Sequence, residues 1–303
     1  MKIFLAGHKG LVGSAILRKL IKKKYKNIIT IDKKKLNLLN QNSVFNFIKK
    51  KRPTIVIIAA AKVGGVYYNN KYGADFIYEN LQIQNNLIYS SFKNKVKKII
   101  FLGSSCIYPK KTKQPIKESF FMTGPLENTN DAYAIAKITG VKMCMEYSKQ
   151  YKLNYKTLMP ANMFGANDNY DLSSSHFFPA LIRKIHNAKI RKKKFITLWG
   201  NGKPKRELLY VEDFADACVF FMRKKTKESF VNIGSGVEKT IKGFAQYIMK
   251  RLNVNLKIKY DLTKPNGMQR KKLDLSISKK YGWKSKTSLN EAFEKVYLDY
   301  LKN

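Results

Sequence analysis

Cysteine and histidine are scarce in this chain, which has three of each among its 303 residues. Cys106, Cys144 and Cys218 are widely spaced, and no Cys-x-x-Cys pair or His/Cys cluster has the spacing of a zinc site or a disulfide framework. We therefore expect no bound metal and a reducing, cytoplasmic location.

Long apolar runs are also missing. The N-terminal run at residues 3–6 is too short for the core of a signal peptide, and no other run approaches the length that spans a bilayer. We expect a soluble protein that makes no contact with a membrane.

Acidic residues are few: 20 Asp and Glu stand against 60 Lys and Arg, which gives a formal charge of +40. Such a charge is typical of proteins that bind polyanions. The lysines, however, lie in short runs from end to end and are not interleaved with aromatic residues as in a groove for single-stranded nucleic acid. We interpret the charge as a general bias of composition and expect no specific nucleic-acid partner.

Apolar strands alternate with segments of helical periodicity over the first half of the chain. The clearest strands, at 3–6, 54–58 and 98–102, are rich in β-branched residues without polar interruption. Such strands are buried on both faces and pair in parallel. The sequence therefore predicts an α/β fold built on a Rossmann-type, doubly wound parallel sheet.

The pattern changes after Pro160, where a long polar loop begins. Later segments at 195–198 and 230–233 are again typical of strands, and no clean linker separates them from the first half. We expect a dinucleotide-binding domain over residues 1–160. Residues 161–303 then form mainly a smaller, interleaved substrate-binding lobe, with segments that return to the first domain.

A glycine-rich turn joins the first strand to the first helix. Glycines in this place let the backbone approach a pyrophosphate, whose charge meets the amides of the helix N-terminus. The spacing is Gly-x-x-Gly-x-x-Gly. The residues predicted to bind a dinucleotide cofactor here are Gly7, Lys9, Gly10, Leu11, Val12 and Gly13.

Asp32 ends the second predicted strand, at 27–31, and lies 19 residues after Gly13. An acidic residue at this place binds the ribose 2′-hydroxyl of NAD and disfavours the 2′-phosphate of NADP. The cluster of Lys9, Lys33, Lys34 and Lys35 favours the phosphate instead. The residues alone leave the choice between NADH and NADPH open.

Three polar residues have the order and spacing of a carbonyl-reducing site. Ser104 follows the strand at 98–102, at the carboxyl edge where open parallel sheets bind ligands. Tyr133 and Lys137 are four residues apart on a predicted helix and share one face. A cation beside the phenol is expected to lower its pKa, and the Tyr can then pass a proton to a carbonyl oxygen.

Together these motifs resemble the extended short-chain dehydrogenase/reductase family and, within it, the family of GDP-L-fucose synthases. The most specific shared segments are 62–65 and 104–109, and further likeness at 133–137, 159–162, 175–176, 199–202, 206–207 and 264–267 covers nearly the whole chain. The resemblance implies 3,5-epimerisation and NADPH-dependent 4-keto reduction of GDP-4-keto-6-deoxy-mannose. It also implies a homodimer that packs through the helices after residues 75 and 133.

The resemblance assigns roles to particular residues. It makes Ser104, Tyr133 and Lys137 the reducing set, Cys106 the base of the epimerisation and His176 the acid on the opposite side. Asn162 would contact the cofactor. The residues that it implies for the sugar nucleotide are Lys62, Lys184, Trp199, Arg206 and Lys264, with Arg183 as a further cation near the diphosphate.

Two departures from the family pattern leave alternatives open. Lys184 stands where Arg is usual, which keeps the charge but loses bidentate phosphate geometry. Asp32 stands where a basic or neutral residue is usual. The alternatives are a C4-reductase of a related GDP-4-keto-6-deoxy sugar such as a heptose, with or without epimerase activity, and a nucleotide-binding regulator without catalysis.

Overall fold

The computed structural model describes residues 1–302 as one assembly of strands and helices. The strands are β1 (Lys2–Ala6), β2 (Asn27–Ile29), β3 (Ile55–Ile58), β4 (Lys98–Leu102), β5 (Asn154–Pro160), β6 (Asn162–Phe164), β7 (Phe195–Trp199), β8 (Lys205–Tyr210), β9 (Phe230–Ile233), β10 (Glu238–Thr240), β11 (Lys257–Asp261) and β12 (Arg270–Lys271). The helices are α1 (Leu11–Lys22), α2 (Gln41–Lys51), α3 (Val66–Lys71), α4 (Gly73–Lys93), α5 (Asp131–Tyr151), α6 (Phe177–Ile190), α7 (Val211–Arg223), α8 (Ile241–Arg251), α9 (Ser276–Lys280) and α10 (Leu289–Tyr300). Among the described residues, no helix is long and apolar enough to cross a membrane.

The central sheet has six parallel strands in the order β2-β1-β3-β4-β5-β9. All four residues of β3 are apolar and buried, as expected for a strand that is covered on both faces. Helices α1 and α7 pack together, as do α4 and α5. The doubly wound, Rossmann-type sheet predicted from the sequence is confirmed.

The order of the strands creates a crevice at one edge of the sheet. From β1 the chain crosses to β2 on one side and then returns to β3 on the other, so the loops after β1 and β3 diverge. Where they leave the strands, the two loops are still close, because a Cβ on Gly7 would lie only 2.5 Å from the Ala60 nitrogen. The crevice is the place where such sheets bind nucleotides.

The later part of the chain builds two small sheets beside this edge. Strands β7 and β11 pair in parallel, while β8 lies between β10 and β12 and also pairs with β6. Strand β9 returns to the central sheet next to β5. The second half of the chain therefore contributes both to the central sheet and to the two small sheets beside it.

Glu207 on β8 ties these segments together. Its side chain has no solvent exposure, and its two oxygens accept hydrogen bonds from the backbone N–H of Gly236 at 2.7 Å and of Leu273 at 2.8 Å. A buried carboxylate is tolerated where backbone donors meet it in this way. Glu207 thus fixes the loop after β9 and the segment after β12 against β8.

Several elements differ from the sequence predictions. The strand predicted at 27–31 ends at Ile29, because β1 pairs with β2 only from Lys2 to Phe4. Strands β6, β8, β10, β11 and β12 were not predicted. Each pairs with a strand from a distant part of the chain, and β6, β10 and β12 have only two or three residues, which are too few to show a period.

We predict that Glu207→Ala destabilises the fold by about 3 kcal/mol, because two buried backbone N–H groups lose their acceptor. Urea denaturation followed by circular dichroism measures this change. Glu146→Ala, which removes an exposed partner of Lys142, is the control and should cost less than about 0.5 kcal/mol. Equal midpoints for the two variants would contradict the role given to Glu207.

Candidate active site

The glycine turn lies between β1 and α1 and is shaped for a close ligand. Gly7 has a φ of +87°, and a Cβ on Gly13 would lie 1.9 Å from the Gly7 oxygen. Gly10 is the N-cap of α1 and offers no side chain to cap it. The first amides of α1, which begins with Leu11 and Val12, therefore point at a place that suits an anion. These residues fit the pyrophosphate of a dinucleotide.

Asp32 follows β2 and is paired with the glycine turn. Its Oδ1 lies 2.8 Å from Lys9 Nζ and 3.4 Å from His8 Nε2. The hydrogen bond from Lys9 lowers the pKa of Asp32, so the carboxylate is charged at neutral pH. Lys33 is exposed beside it. A negative charge and two cations therefore lie close together after β2, beside the glycine turn.

Ser104 and Cys106 lie immediately after β4. Ser104 caps a short 3-10 turn at Ser105–Ile107, where its Oγ accepts a hydrogen bond from the Cys106 N–H at 3.4 Å. Cys106 is only 5% exposed. The turn therefore presents a hydroxyl and a thiol at the carboxyl edge of the sheet.

Tyr133 and Lys137 lie on one face of α5, as their spacing predicts. Lys137 Nζ is 5.8 Å from the centre of the Tyr133 ring and donates a hydrogen bond to the Leu102 carbonyl at 2.9 Å. Leu102 is the last residue of β4. The lysine therefore fastens α5 to the strand that carries Ser104.

Burial dominates the acid–base properties of this pair. It raises the pKa of Tyr133, and hydrogen bonding by Ser104 only partly opposes the rise. Burial also lowers the pKa of Lys137 to about 8. The expected lowering of the Tyr133 pKa by Lys137 is not seen in this structure, where desolvation of the phenolate is the largest influence on the phenol. The phenol stays protonated and can donate its proton.

Cys106 and His176 face the same cavity from different elements. Burial raises the pKa of Cys106, while Lys271, Ser104 and Lys137 act in the opposite direction. His176, the N-cap of α6, is accessible to solvent within the cleft, and its pKa is lowered by the crowding of the protein around it and by the charge of Lys271. Near neutral pH the imidazole is mostly neutral and the thiol mostly protonated.

These groups surround a cavity of about 350 Å³. Ser104, Cys106, Tyr133 and His176 all line it, while Lys137 lies behind Tyr133 and β4. The residues predicted for cofactor or substrate that also line it are Leu11, Asn162, Lys184, Trp199 and Arg206. The cavity thus joins the end of the glycine turn to the later lobe.

Cations and an aromatic ring form the far end of the cavity. Arg206 donates to the Met268 carbonyl at 2.6 Å, and burial lowers the pKa of Arg206 to about 10, so that it remains charged at neutral pH. Lys184 donates to the Thr197 carbonyl at 2.9 Å and lies 5.8 Å from the Trp199 ring. This end suits a nucleoside diphosphate.

Three residues implied by the resemblance do not line the cavity. Lys62 Nζ is held by Glu79 at 2.6 Å, and Arg183 donates to the Tyr170 carbonyl at 3.1 Å. Lys264 is exposed to solvent, and its Nζ lies 5.8 Å from the centre of the Trp199 ring. Asn162 lines the cavity but donates to the Glu207 carbonyl at 3.1 Å, which also gives it a structural role.

Lys271, Glu127 and Asn130 line the cavity and were missed in the sequence. Lys271 stands in a basic stretch whose neighbours look the same, and only the fold shows that it points inward. Glu127 and Asn130 come just before α5 in a polar loop. Both residues are close to Tyr133 in the sequence, but their spacing from it matches no motif that would mark them as part of the site.

Comparison with known proteins agrees with this geometry. The model of the NAD dependent epimerase/dehydratase family matches residues 3–234. GDP-L-fucose synthase 1 of Arabidopsis thaliana is 47% identical over 302 residues, covering 100% of this chain and 94% of the relative. GDP-L-fucose synthase of Escherichia coli K12 is 42% identical over 311 residues, covering 100% and 97%.

A solved structure shares the whole architecture. The GDP-mannoheptose C4 reductase of Campylobacter jejuni with NADP bound is 34% identical, with a TM-score of 0.90 over 99% of this chain and 98% of that one. The shared fold, the glycine turn and the Ser-Tyr-Lys set lead to one conclusion. The chain belongs to the NAD dependent epimerase/dehydratase family.

Proposed function

We propose that this protein converts GDP-4-keto-6-deoxy-mannose to GDP-L-fucose by 3,5-epimerisation and NADPH-dependent reduction at C4. The observation that carries the proposal is the single cavity that brings together Ser104, Tyr133, Cys106 and His176. Two proton-transfer groups are then available in addition to a reducing set. Full-length similarity to GDP-L-fucose synthases supports the same substrate.

The epimerisation uses the acidity of protons next to a ketone. Removal of the proton at C3 or C5 by the Cys106 thiolate gives an enolate, whose oxygen accepts hydrogen bonds from Ser104 and Tyr133. His176, which takes up a proton from solvent before this step, delivers it to the opposite face of the same carbon, while Cys106 keeps the proton that it removed. Cations near Cys106 help the thiolate to form, and its raised pKa makes it a stronger base once formed.

The reduction uses the same two hydroxyl groups. When bound, the nicotinamide cofactor supplies the reducing equivalent to C4. Ser104 orients the C4 oxygen, and Tyr133, whose pKa is raised by burial, donates its proton to that oxygen. Lys137 keeps α5 in place through its bond to Leu102, and it would hold the ribose hydroxyls of the bound cofactor.

Two lobes divide the work in this proposal. Residues 1–160 bind the cofactor through the glycine turn and carry the Ser-Tyr-Lys set. The later residues bind mainly the sugar nucleotide, with Arg206 and Lys271 at the diphosphate and Trp199 beside the base. Lys184 provides a point charge there instead of a guanidinium fork.

A second candidate is the C4 reduction of a GDP-4-keto-6-deoxy-heptose. The observation that favours it is the likeness to the GDP-mannoheptose C4 reductase. The presence of both Cys106 and His176 in the cavity favours the first candidate, because reduction alone needs neither group.

We further propose a cytoplasmic homodimer that packs through α4 and α5. These helices pack together and carry exposed apolar side chains, including Tyr78 at 59%, Ile135 at 44% and Tyr151 at 45% exposure. Such a surface suits burial against a second copy. Analytical ultracentrifugation should give the mass of a dimer.

The direct test is incubation of the purified protein with NADPH and either 4-keto sugar nucleotide. We expect cofactor absorbance to fall with GDP-4-keto-6-deoxy-mannose and NMR to identify GDP-L-fucose as the product. A folded sample that oxidises no cofactor would refute the proposal. Faster turnover of the heptose substrate would establish the second candidate.

We predict that Cys106→Ser slows solvent deuterium incorporation at C3 and C5 by at least about 100-fold, because an alcohol is a far weaker acid than a thiol and gives no base. Mass spectrometry of the recovered sugar nucleotide measures the exchange. Cys144→Ala, a buried thiol on α5 away from the cavity, is the matched control. Exchange at the wild-type rate in Cys106→Ser would rule out the base role.

For Tyr133→Phe we expect kcat of the reduction to fall by about 100- to 10,000-fold, because the proton donor is lost. The Kd for NADPH, measured by fluorescence titration, should hardly change. Tyr147→Phe on the same helix controls for general effects of a lost hydroxyl. The donor role fails if Tyr133→Phe retains activity like that of Tyr147→Phe.

Asp32→Asn tests how the charges at the ribose end act on cofactor choice. The change removes the negative charge near a 2′-phosphate and releases Lys9, and we expect KM for NADPH to fall about fivefold, the factor for roughly 1 kcal/mol of repulsion. KM for NADH should rise, because the ribose hydroxyl loses a charged acceptor. Unchanged values for both cofactors would show that Asp32 does not contact this part of the ligand.

A further inference from the structure

Glu127 lines the cavity and has one carboxylate oxygen without a hydrogen-bond partner among the described residues. The residue is 8% exposed and lines the cavity. Its Oε1 accepts a hydrogen bond from Lys110 Nζ at 3.2 Å, whereas Oε2 is buried and unpaired. Buried polar atoms are almost always paired, so an unpaired carboxylate oxygen at a cavity wall points to a ligand that donates a hydrogen bond.

Other unpaired oxygens lie on the same wall. Asn69 Oδ1, Asn130 Oδ1 and Ser175 Oγ are buried without partners in the described structure, and all three residues line the cavity. The Asn69 amide group donates to the carbonyls of Gly64 at 2.6 Å and Gly65 at 3.0 Å, which directs its oxygen the other way. We call Asn69, Glu127, Asn130 and Ser175 the polar wall.

The polar wall is continuous because its elements touch. Helix α3, which carries Asn69, packs against the 3-10 turn at 128–130. At the start of α3, the Gly65 N–H donates to the Ser174 carbonyl, next to Ser175. The wall thus adjoins the start of α5, and Glu127 precedes Tyr133 by six residues.

A wall of oxygen acceptors suits the hydroxyl groups of a sugar. This step rests on the proposed function, whose substrate has ring hydroxyls at C2 and C3 only. The C3 hydroxyl changes side during epimerisation, so a fixed acceptor cannot keep its bond. The C2 hydroxyl keeps its configuration and is the one ring hydroxyl that can anchor the sugar throughout the reaction.

We propose that Glu127 accepts a hydrogen bond from the C2 hydroxyl and that this bond selects 2-hydroxy sugars. The placement agrees with this role, since C4 meets Tyr133 and the diphosphate meets Arg206 and Lys271. Both cations feel the charge of Glu127. The carboxylate therefore lies toward the diphosphate end, where C1 and C2 are.

The opposing interpretation makes Glu127 only a counter-charge for Arg206 and Lys271. The two roles differ in what the sugar hydroxyl contributes. A counter-charge affects GDP sugars equally whether or not they have a C2 hydroxyl, whereas an acceptor distinguishes them. A comparison of two ligands that differ only at C2 therefore separates the roles.

The test measures binding of unreactive GDP-mannose and its 2-deoxy analogue by calorimetry. We expect the wild type to bind GDP-mannose about 10- to 100-fold more tightly, the range for a hydrogen bond to a charged group. Glu127→Met should bind both alike, while Glu127→Gln, which keeps a carbonyl acceptor, should retain most of the difference. Asp131→Asn, an exposed carboxylate on α5, should leave the difference unchanged.

The binding of GDP alone reports whether each variant is folded and keeps its diphosphate site. Loss of the Glu127 charge near Arg206 and Lys271 should change the affinity for GDP and for the 2-deoxy sugar by the same factor. The inference is overturned if the wild type binds both sugars equally, or if Glu127→Met keeps the full difference. Because no turnover is required, this result is independent of the activity assay. A protein that shows the C2 difference but does not reduce the 4-keto sugar would refute the proposed function alone.

Discussion

The hydrogen bond from Lys137 Nζ to the Leu102 carbonyl holds the site together. It fixes α5 to the carboxyl end of β4, and so it brings Tyr133 from the helix next to Ser104 and Cys106 from the turn after the strand. A buried ammonium needs such an acceptor, because an unpaired charge in the interior is costly. The same contact keeps the lysine beside the phenol. The parallel sheet positions the other parts of the site, because the glycine turn, the turn that carries Ser104 and Cys106, and the later lobe all meet at its carboxyl edge.

Burial sets the protonation states in this cleft more than charge does. It raises the pKa values of Tyr133 and Cys106 and lowers that of Lys137. The solvent-accessible His176 has its pKa lowered by the protein crowded around it and by the charge of Lys271. A protonated phenol suits the final proton donation. A weakly acidic thiol gives a strong base, which removal of a proton next to a ketone requires. Nearby cations such as Lys271 make the thiolate easier to form, because they oppose the rise of the Cys106 pKa that burial causes.

The sequence predicted the central sheet well, because apolar strands of four or five residues and helices of ten or more have clear periods. It also predicted that Ser104, Tyr133 and Lys137 meet, since strand ends and helix faces follow from simple geometry. It missed Lys271 and Glu127. Lys271 is one of many lysines spread along the chain, and Glu127 lies in a loop without a periodic pattern. Only the fold shows that both residues line the cavity. The sequence also did not predict that burial raises the pKa of Tyr133, because the spacing of two residues does not show how deeply they are buried.

The central claim is that one cavity carries both the proton transfers and the reduction, with Cys106 and His176 on opposite faces of the sugar ring. A crystal structure with NADP and an unreactive GDP sugar tests it most directly. The account predicts Tyr133 Oη and Ser104 Oγ within hydrogen-bond distance of the C4 oxygen, and Cys106 Sγ about 3.5 Å from C3 or C5 on the face away from His176. A sugar ring with Cys106 and His176 on the same face, or out of reach of the thiol, would contradict it.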